Sequence, residues 1–141
     1  MPRRSDQRRE AAFALYEAEL SGRPVGDVIE ARDAPAFTAA LALAADNHRD
    51  RLEGLIARNS TGWELDRIAV LERSIMLVAL AEVAYPELVP SDAPIPAAGA
   101  IDEAVETAKE YCGSSAPAFV NGVLDAAFGE LRQNPGADDR T

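Results

Sequence analysis

Apolar residues recur along most of this chain at intervals of three or four positions, the spacing of one face of an α-helix. Alanine and leucine dominate, β-branched residues rarely cluster, and no long segment alternates apolar and polar residues as a β-strand would. The pattern therefore predicts an all-α protein, with about seven helices in two small packed bundles.

Capping residues, glycines and prolines divide the apolar pattern into seven predicted helices. They cover about 5–20 with Ser5 as N-cap, 25–31, 35–59, 63–68, 70–84, 97–111, and a last helix that follows Ser114 or Ser115. The segment 70–84 is apolar nearly all round, so it is predicted to be central and buried. The Asn-Ser-Thr-Gly break at 59–62 separates an N-terminal subdomain (1–60) from a C-terminal one (61–133), and the polar tail 134–141 is predicted to be disordered.

The composition fits a globular protein with an unevenly distributed charge. Of 141 residues, 48% are hydrophobic and 27% charged, so we expect a compact core. The net charge of −10 by itself disfavours binding to nucleic acid. Before residue 10, however, only Asp6 opposes a cluster of four arginines, Arg3, Arg4, Arg8 and Arg9. The sequence is therefore compatible with a cationic arm on an acidic body.

Candidate catalytic and metal-binding groups are few. Cys112 is the only cysteine and His48 the only histidine, and both are interpreted as packed residues. Asp102 and Glu106 share a helix face, but that spacing is common on solvated helices. No secretory signal or membrane-spanning segment is evident. We therefore expect a cytoplasmic protein that is not an enzyme and needs no cofactor or metal.

Three segments resemble the NusB family. RREAAFALYEAE at 8–19 resembles its arginine-led opening helix, and the stretch from GWELDRI at 62–68 through LERSIML at 71–77 to Glu82 resembles its Trp-x-Leu-x-Arg-Ile block. IDEAVETAK at 101–109, followed by AFVNGVLD at 118–125, is similar to its most distinctive signatures in order and spacing. Four positions depart from the family pattern: Leu77, Ala81, Gly99 and Asp102.

The resemblance implies seven helices and a role in transcription antitermination. Family members bind boxA-type single-stranded RNA of ribosomal operons together with NusE, a small-subunit ribosomal protein, on the RNA polymerase elongation complex. Some also form homodimers. The RNA-binding residues expected here are Arg3, Arg4, Arg8, Arg9, Phe119 and Asn121, and the NusE-binding residues are Tyr16, Glu72 and Glu82.

The expected RNA site combines phosphate contacts with base stacking. If four arginines neutralise phosphates of a single strand, a plot of the logarithm of the binding constant against that of the salt concentration has a slope of at most roughly −3. A base stacked on Phe119 adds about 1–3 kcal/mol, although Phe119 and Val123 share a helix face, which favours core packing about equally. Asn121 either reads a base edge or caps the helix junction. We predict that the arginines and Phe119 form one joint docking place.

Two other functions fit the same sequence. The first is a helical adaptor that binds only proteins. The second is the NusB-like domain of some ribosomal-RNA cytosine methyltransferases, expected here only as a free-standing module because 141 residues leave no room for a cofactor-binding domain.

Overall fold

The computed structural model describes residues 3–62 and 64–134, and within them it contains seven α-helices and no β-strand. The helices are α1 (Arg4–Ser21), α2 (Val25–Ala31), α3 (Ala36–Asn47), α4 (Arg49–Arg58), α5 (Val70–Ala84), α6 (Ala97–Tyr111) and α7 (Ala116–Gln133). The all-α prediction is confirmed. Trp63 and the predicted disordered tail from 135 onward lie outside the described residues.

Helix α5 is the centre of the fold because its sequence is apolar nearly all round. All nine residues from Ser74 to Glu82 are buried, and α5 packs against α1, α3, α4, α6 and α7. This burial includes Leu77 and Ala81, two of the departures from the family pattern, which are core residues here. One hydrophobic core contains residues from both predicted subdomains.

The predicted single helix over 35–59 is wrong, because two helices meet at His48. Asn47 and His48 are weak helix formers, and the backbone of His48 leaves the helical conformation at φ −113° and ψ 25°. The imidazole stacks on the Tyr85 ring with centroids 3.8 Å apart, and Arg51 Nη1 donates to the Tyr85 hydroxyl at 2.9 Å. The break therefore places His48 against the loop that follows α5.

Two other local predictions also need correction. The segment predicted as a helix over 63–68 contains only a 3-10 turn, Leu65–Arg67, among the described residues. Ser5 is not the N-cap of α1. The N-cap is Arg3, whose backbone N–H donates to Asp6 Oδ2 at 3.3 Å, while Ser5 Oγ donates to Glu103 Oε1 at 2.8 Å. The start of α1 is thereby tied to α6.

Candidate nucleic-acid and partner interface

Arg3 and Arg4 present the accessible positive charge at the start of α1. The Arg3 side chain is 82% exposed, with Asp6 Oδ2 3.6 Å from its Nε. The Arg4 guanidinium lies 4.2 Å from the centre of the Phe37 ring and donates to the Pro90 carbonyl at 3.4 Å. Arg4 has no carboxylate partner among the described residues, so its charge is not neutralised locally.

Arg8 points inward, contrary to the expectation that it meets phosphate. Its Nε and Nη2 donate to the two carboxylate oxygens of Glu82 at 2.7 and 2.8 Å, and its Nη1 lies 3.6 Å from Glu103. The side chains of Arg8 and Glu82 are only 16% and 6% exposed, and this hydrogen bonding raises the pKa of Arg8. The structure thus does not present Glu82 to a partner either, because its carboxylate is needed to neutralise a buried arginine.

Arg9 links the start of α1 to the end of α6. Its Nη2 donates to Asp6 Oδ1 at 2.8 Å, and its guanidinium lies 5.9 Å from the centre of the Tyr111 ring. Tyr111 is 43% exposed and meets Phe13 edge to face, with centroids 5.0 Å apart. An exposed aromatic residue therefore continues the surface from the arginines towards the middle of α1.

Phe119 is half-buried in the first turns of α7 and lines a pocket of about 190 Å³. The other lining residues are Arg67, Ile68, Glu72 and Ser115. Burial and the nearby Glu72 carboxylate raise the pKa of the Cys112 thiol, so that thiol stays protonated at neutral pH. The pocket combines an aromatic ring with a cation, an anion and a hydroxyl, a set of groups suited to a nucleotide base and its phosphate.

Asn121 lies on the outer face of α7, one residue beyond the buried Val120. Its side chain is exposed and makes no hydrogen bond with any described residue. The described residues therefore provide no capping role for Asn121, and its amide remains accessible to a ligand.

Tyr16 lines an open groove of about 550 Å³ between α1, the residue that follows α2 and the start of α5. Phe13, Leu20 and Leu71 supply its apolar surface, and Leu20 is 61% exposed. Arg32 lies at one edge, where it binds Glu10 and Glu17. An apolar groove with charged edges is typical of a surface that receives another protein.

The groove and the Phe119 pocket meet at the first turn of α5. Leu71 lines the groove and the next residue, Glu72, lines the pocket. Arg8 instead binds Glu82, ten residues along α5, which corresponds to about 15 Å. The predicted joint docking place is therefore wrong for Arg8, whereas Arg9 lies on the side that leads through Tyr111 towards α7.

The sequence interpretation missed Arg67 and the groove residues Phe13, Leu20 and Leu71. Arg67 is part of the GWELDRI motif, and its charge beside a turn was the available signal. The apolar residues gave no signal of their own, because apolar positions at helical spacing are ordinarily buried.

Fold and surface together define a small all-helical binding protein, with a groove and a mixed pocket on either side of one helix start. Among the described residues, no helix is long and apolar enough to cross a membrane, and no group of histidine, cysteine and acidic residues is arranged to hold a metal ion.

Comparison with known proteins identifies the family. The NusB family profile matches residues 5–128, and the chain belongs to that family. It is 39% identical over 120 residues to the transcription antitermination protein NusB of Thermobifida fusca (strain YX), covering 81% of this chain and 80% of that protein.

Two solved structures are also similar. T. maritima NusB superposes with a TM-score of 0.80 at 25% identity, covering 92% of each chain. A crystal structure of the antitermination factors NusB and NusE in complex with dsRNA gives a TM-score of 0.73 at 26% identity, covering 90% of this chain and 96% of that one. The seven-helix expectation is therefore confirmed at the level of the whole fold.

Proposed function

We propose that this protein is a NusB-type transcription antitermination factor. It binds boxA-type single-stranded RNA together with NusE and acts on the RNA polymerase elongation complex. Family membership supports this function, as do the similar antitermination protein of Thermobifida fusca and the similar structure of NusB and NusE in complex with dsRNA.

The main observation behind the proposal is that the groove at Tyr16 and the Phe119 pocket adjoin each other, because Leu71 lines the groove and Glu72 lines the pocket. One ligand binds the Phe119 pocket and the other the groove at Tyr16, so both are held side by side. NusE is a basic ribosomal protein, and a body with net charge −10 attracts it electrostatically. Glu72 contributes to that attraction.

RNA binding uses the exposed charges and aromatic groups. Arg3, Arg4 and Arg9 contact phosphates, Phe119 stacks on a base, and Asn121 meets a base edge. Arg8 and Glu82 do not contact RNA; their largely buried ion pair holds α1 against α5 beneath this surface. Because Arg8 is bonded to Glu82, only three arginines contact phosphates. The slope of the logarithm of the RNA-binding constant against that of the salt concentration is then about −2 instead of −3.

Fluorescence polarisation with labelled boxA-type RNA tests the function. The protein binds the single strand more tightly than a scrambled strand or the corresponding duplex, and NusE strengthens RNA binding by the same factor by which RNA strengthens NusE binding. Absence of RNA binding, with NusE binding intact, would support the protein-only adaptor instead.

Variants separate the two surfaces. Phe119→Ala weakens RNA binding by about 1–3 kcal/mol, whereas Leu131→Ala, a half-buried residue near the other end of α7, leaves it unchanged. Tyr16→Ala, in the groove, weakens NusE binding and leaves RNA binding in the absence of NusE unchanged, because Tyr16 does not line the Phe119 pocket. Equal effects of Phe119→Ala and Leu131→Ala on RNA binding would refute the assignment of Phe119.

A further inference from the structure

Arg67 is an arginine at the edge of the Phe119 pocket without a described partner. It is exposed and makes no hydrogen bond or ion pair with any described residue through its side chain. Arginines elsewhere in the described chain are largely neutralised, and those that bind carboxylates include Arg8, Arg9, Arg32, Arg49, Arg58 and Arg73. Arg4 and Arg132 also lack a carboxylate partner among the described residues, but neither lines this pocket, and Arg67 supplies its positive charge.

The backbone holds Arg67 at this place. Arg67 is the last residue of the 3-10 turn, and its N–H donates to the Glu64 carbonyl at 2.9 Å. The next residue, Ile68, is 4% exposed, donates to the Leu65 carbonyl at 3.2 Å and lines the same pocket. The root of the Arg67 side chain is thus fixed, and only its flexible stem has to be ordered when a ligand binds.

The size of the pocket limits what enters it. Sites that enclose a whole small molecule have volumes of about 300–1,000 Å³, and this pocket has about 190 Å³. It therefore accepts one flat group against Phe119, and the remainder of that ligand stays outside. A nucleotide within a single strand has this shape, because the base enters and the sugar and phosphate remain at the rim.

The charges in the pocket fix the side on which the phosphate lies. Glu72 repels a phosphate but accepts hydrogen bonds from base N–H groups, and Arg67 attracts a phosphate and donates to it with two parallel N–H groups. Ser115 has no side-chain capping bond at the start of α7, so its hydroxyl is also available.

We propose that Arg67 binds the phosphate of the RNA nucleotide whose base occupies the Phe119 pocket. This inference rests on the proposed RNA-binding function and adds a phosphate contact that is separate from the arginines of α1.

Titration of labelled boxA-type single-stranded RNA over a salt series tests this assignment. Arg67→Ala weakens binding about tenfold and makes the log-log salt slope shallower by about 0.7. The matched control is Arg132→Ala at the far end of α7, where another exposed arginine without a described partner is removed. Arg67→Lys keeps the salt slope but only part of the affinity, because lysine does not form the paired contact.

The melting temperatures of the same variants show whether a folding defect contributes. We expect no change for Arg67→Ala, because the Arg67 side chain makes no hydrogen bond or ion pair with a described residue. If Phe119→Ala weakens RNA binding but Arg67→Ala behaves like Arg132→Ala, the phosphate assignment is overturned and the RNA-binding function stands. If the unaltered protein binds no RNA, both are overturned. A tenfold loss confined to Arg67→Ala, with the shallower slope, supports the proposal.

Discussion

The ion pair of Arg8 and Glu82 is predicted to stabilise the fold and to make no direct contact with RNA or a partner. Replacing Glu82 with glutamine keeps the shape of the side chain but leaves the Arg8 charge without its main counter-ion. Removing one partner of a buried pair costs about 3–5 kcal/mol. Against a typical total stability of about 5–15 kcal/mol, such a loss is large.

Two features of the surroundings lower the expected cost for Glu82→Gln. Glu103 remains 3.6 Å from Arg8 Nη1, and its side chain is 31% exposed. A cavity of about 20 Å³, lined by Arg8, Glu82, Glu103 and Thr107 among others, is large enough for one water molecule. We therefore expect a loss of about 2–3 kcal/mol, below the range for a fully enclosed pair.

Urea denaturation followed by far-ultraviolet circular dichroism measures this loss. Glu103→Gln is the comparison, and because Glu103 is more exposed it should cost about 1 kcal/mol or less. A free energy of unfolding for Glu82→Gln within about 0.5 kcal/mol of the unaltered protein would refute the reasoning. So would an Arg8→Met variant that loses RNA binding while its stability is unchanged. Arg8→Glu is uninformative, since it places a third carboxylate beside Glu82 and Glu103.

Three further predictions concern α7. Arg58 holds the pKa of Glu130 below its ordinary value of 4.5 through a hydrogen bond to the carboxylate. The ionised carboxylate therefore stabilises the folded state fully above pH 4.5, and this contribution is lost as the pH falls below that value. Glu130→Gln should lower the free energy of unfolding by about 1 kcal/mol at neutral pH and flatten its decrease at acidic pH. Gly122→Ala should raise the unfolding free energy by about 0.5–1 kcal/mol, because a Cβ there meets nothing within 4 Å, and an unchanged or lower melting temperature would contradict this. Leu124→Ala, at a fully buried position, should cost about 2–5 kcal/mol in urea denaturation.

The sequence predicted the helices whose ends carry strong local signals. Pro96 precedes α6 and Gly113 follows it, and the structure gives α6 the predicted bounds. The division at His48 was missed because apolar spacing continues across it, and the tertiary contact with Tyr85 that accompanies the break is distant in sequence. Periodicity identifies buried faces, but it does not show where one helix ends and the next begins when no proline or glycine marks the boundary.

Parts of the site depend on contacts between distant residues and were less predictable. Arg8 and Glu82 are 74 positions apart, and nothing in either local sequence indicates that they pair. An arginine-rich helix start therefore looked uniformly accessible, although its members differ from 82% exposure at Arg3 to 16% at Arg8. Phe119 lies at the start of α7, as the sequence predicts, whereas its neighbours Arg67 and Glu72 come from other elements.

The first turn of α5 belongs to both surfaces, since consecutive residues, Leu71 and Glu72, face different cavities. A substitution in this turn that weakens RNA binding does not by itself identify an RNA contact, because the same change alters the wall of the neighbouring groove. The RNA affinity of every variant of residues 69–73 therefore has to be measured both with and without NusE. Only a loss of RNA affinity that persists without NusE identifies a residue that contacts RNA.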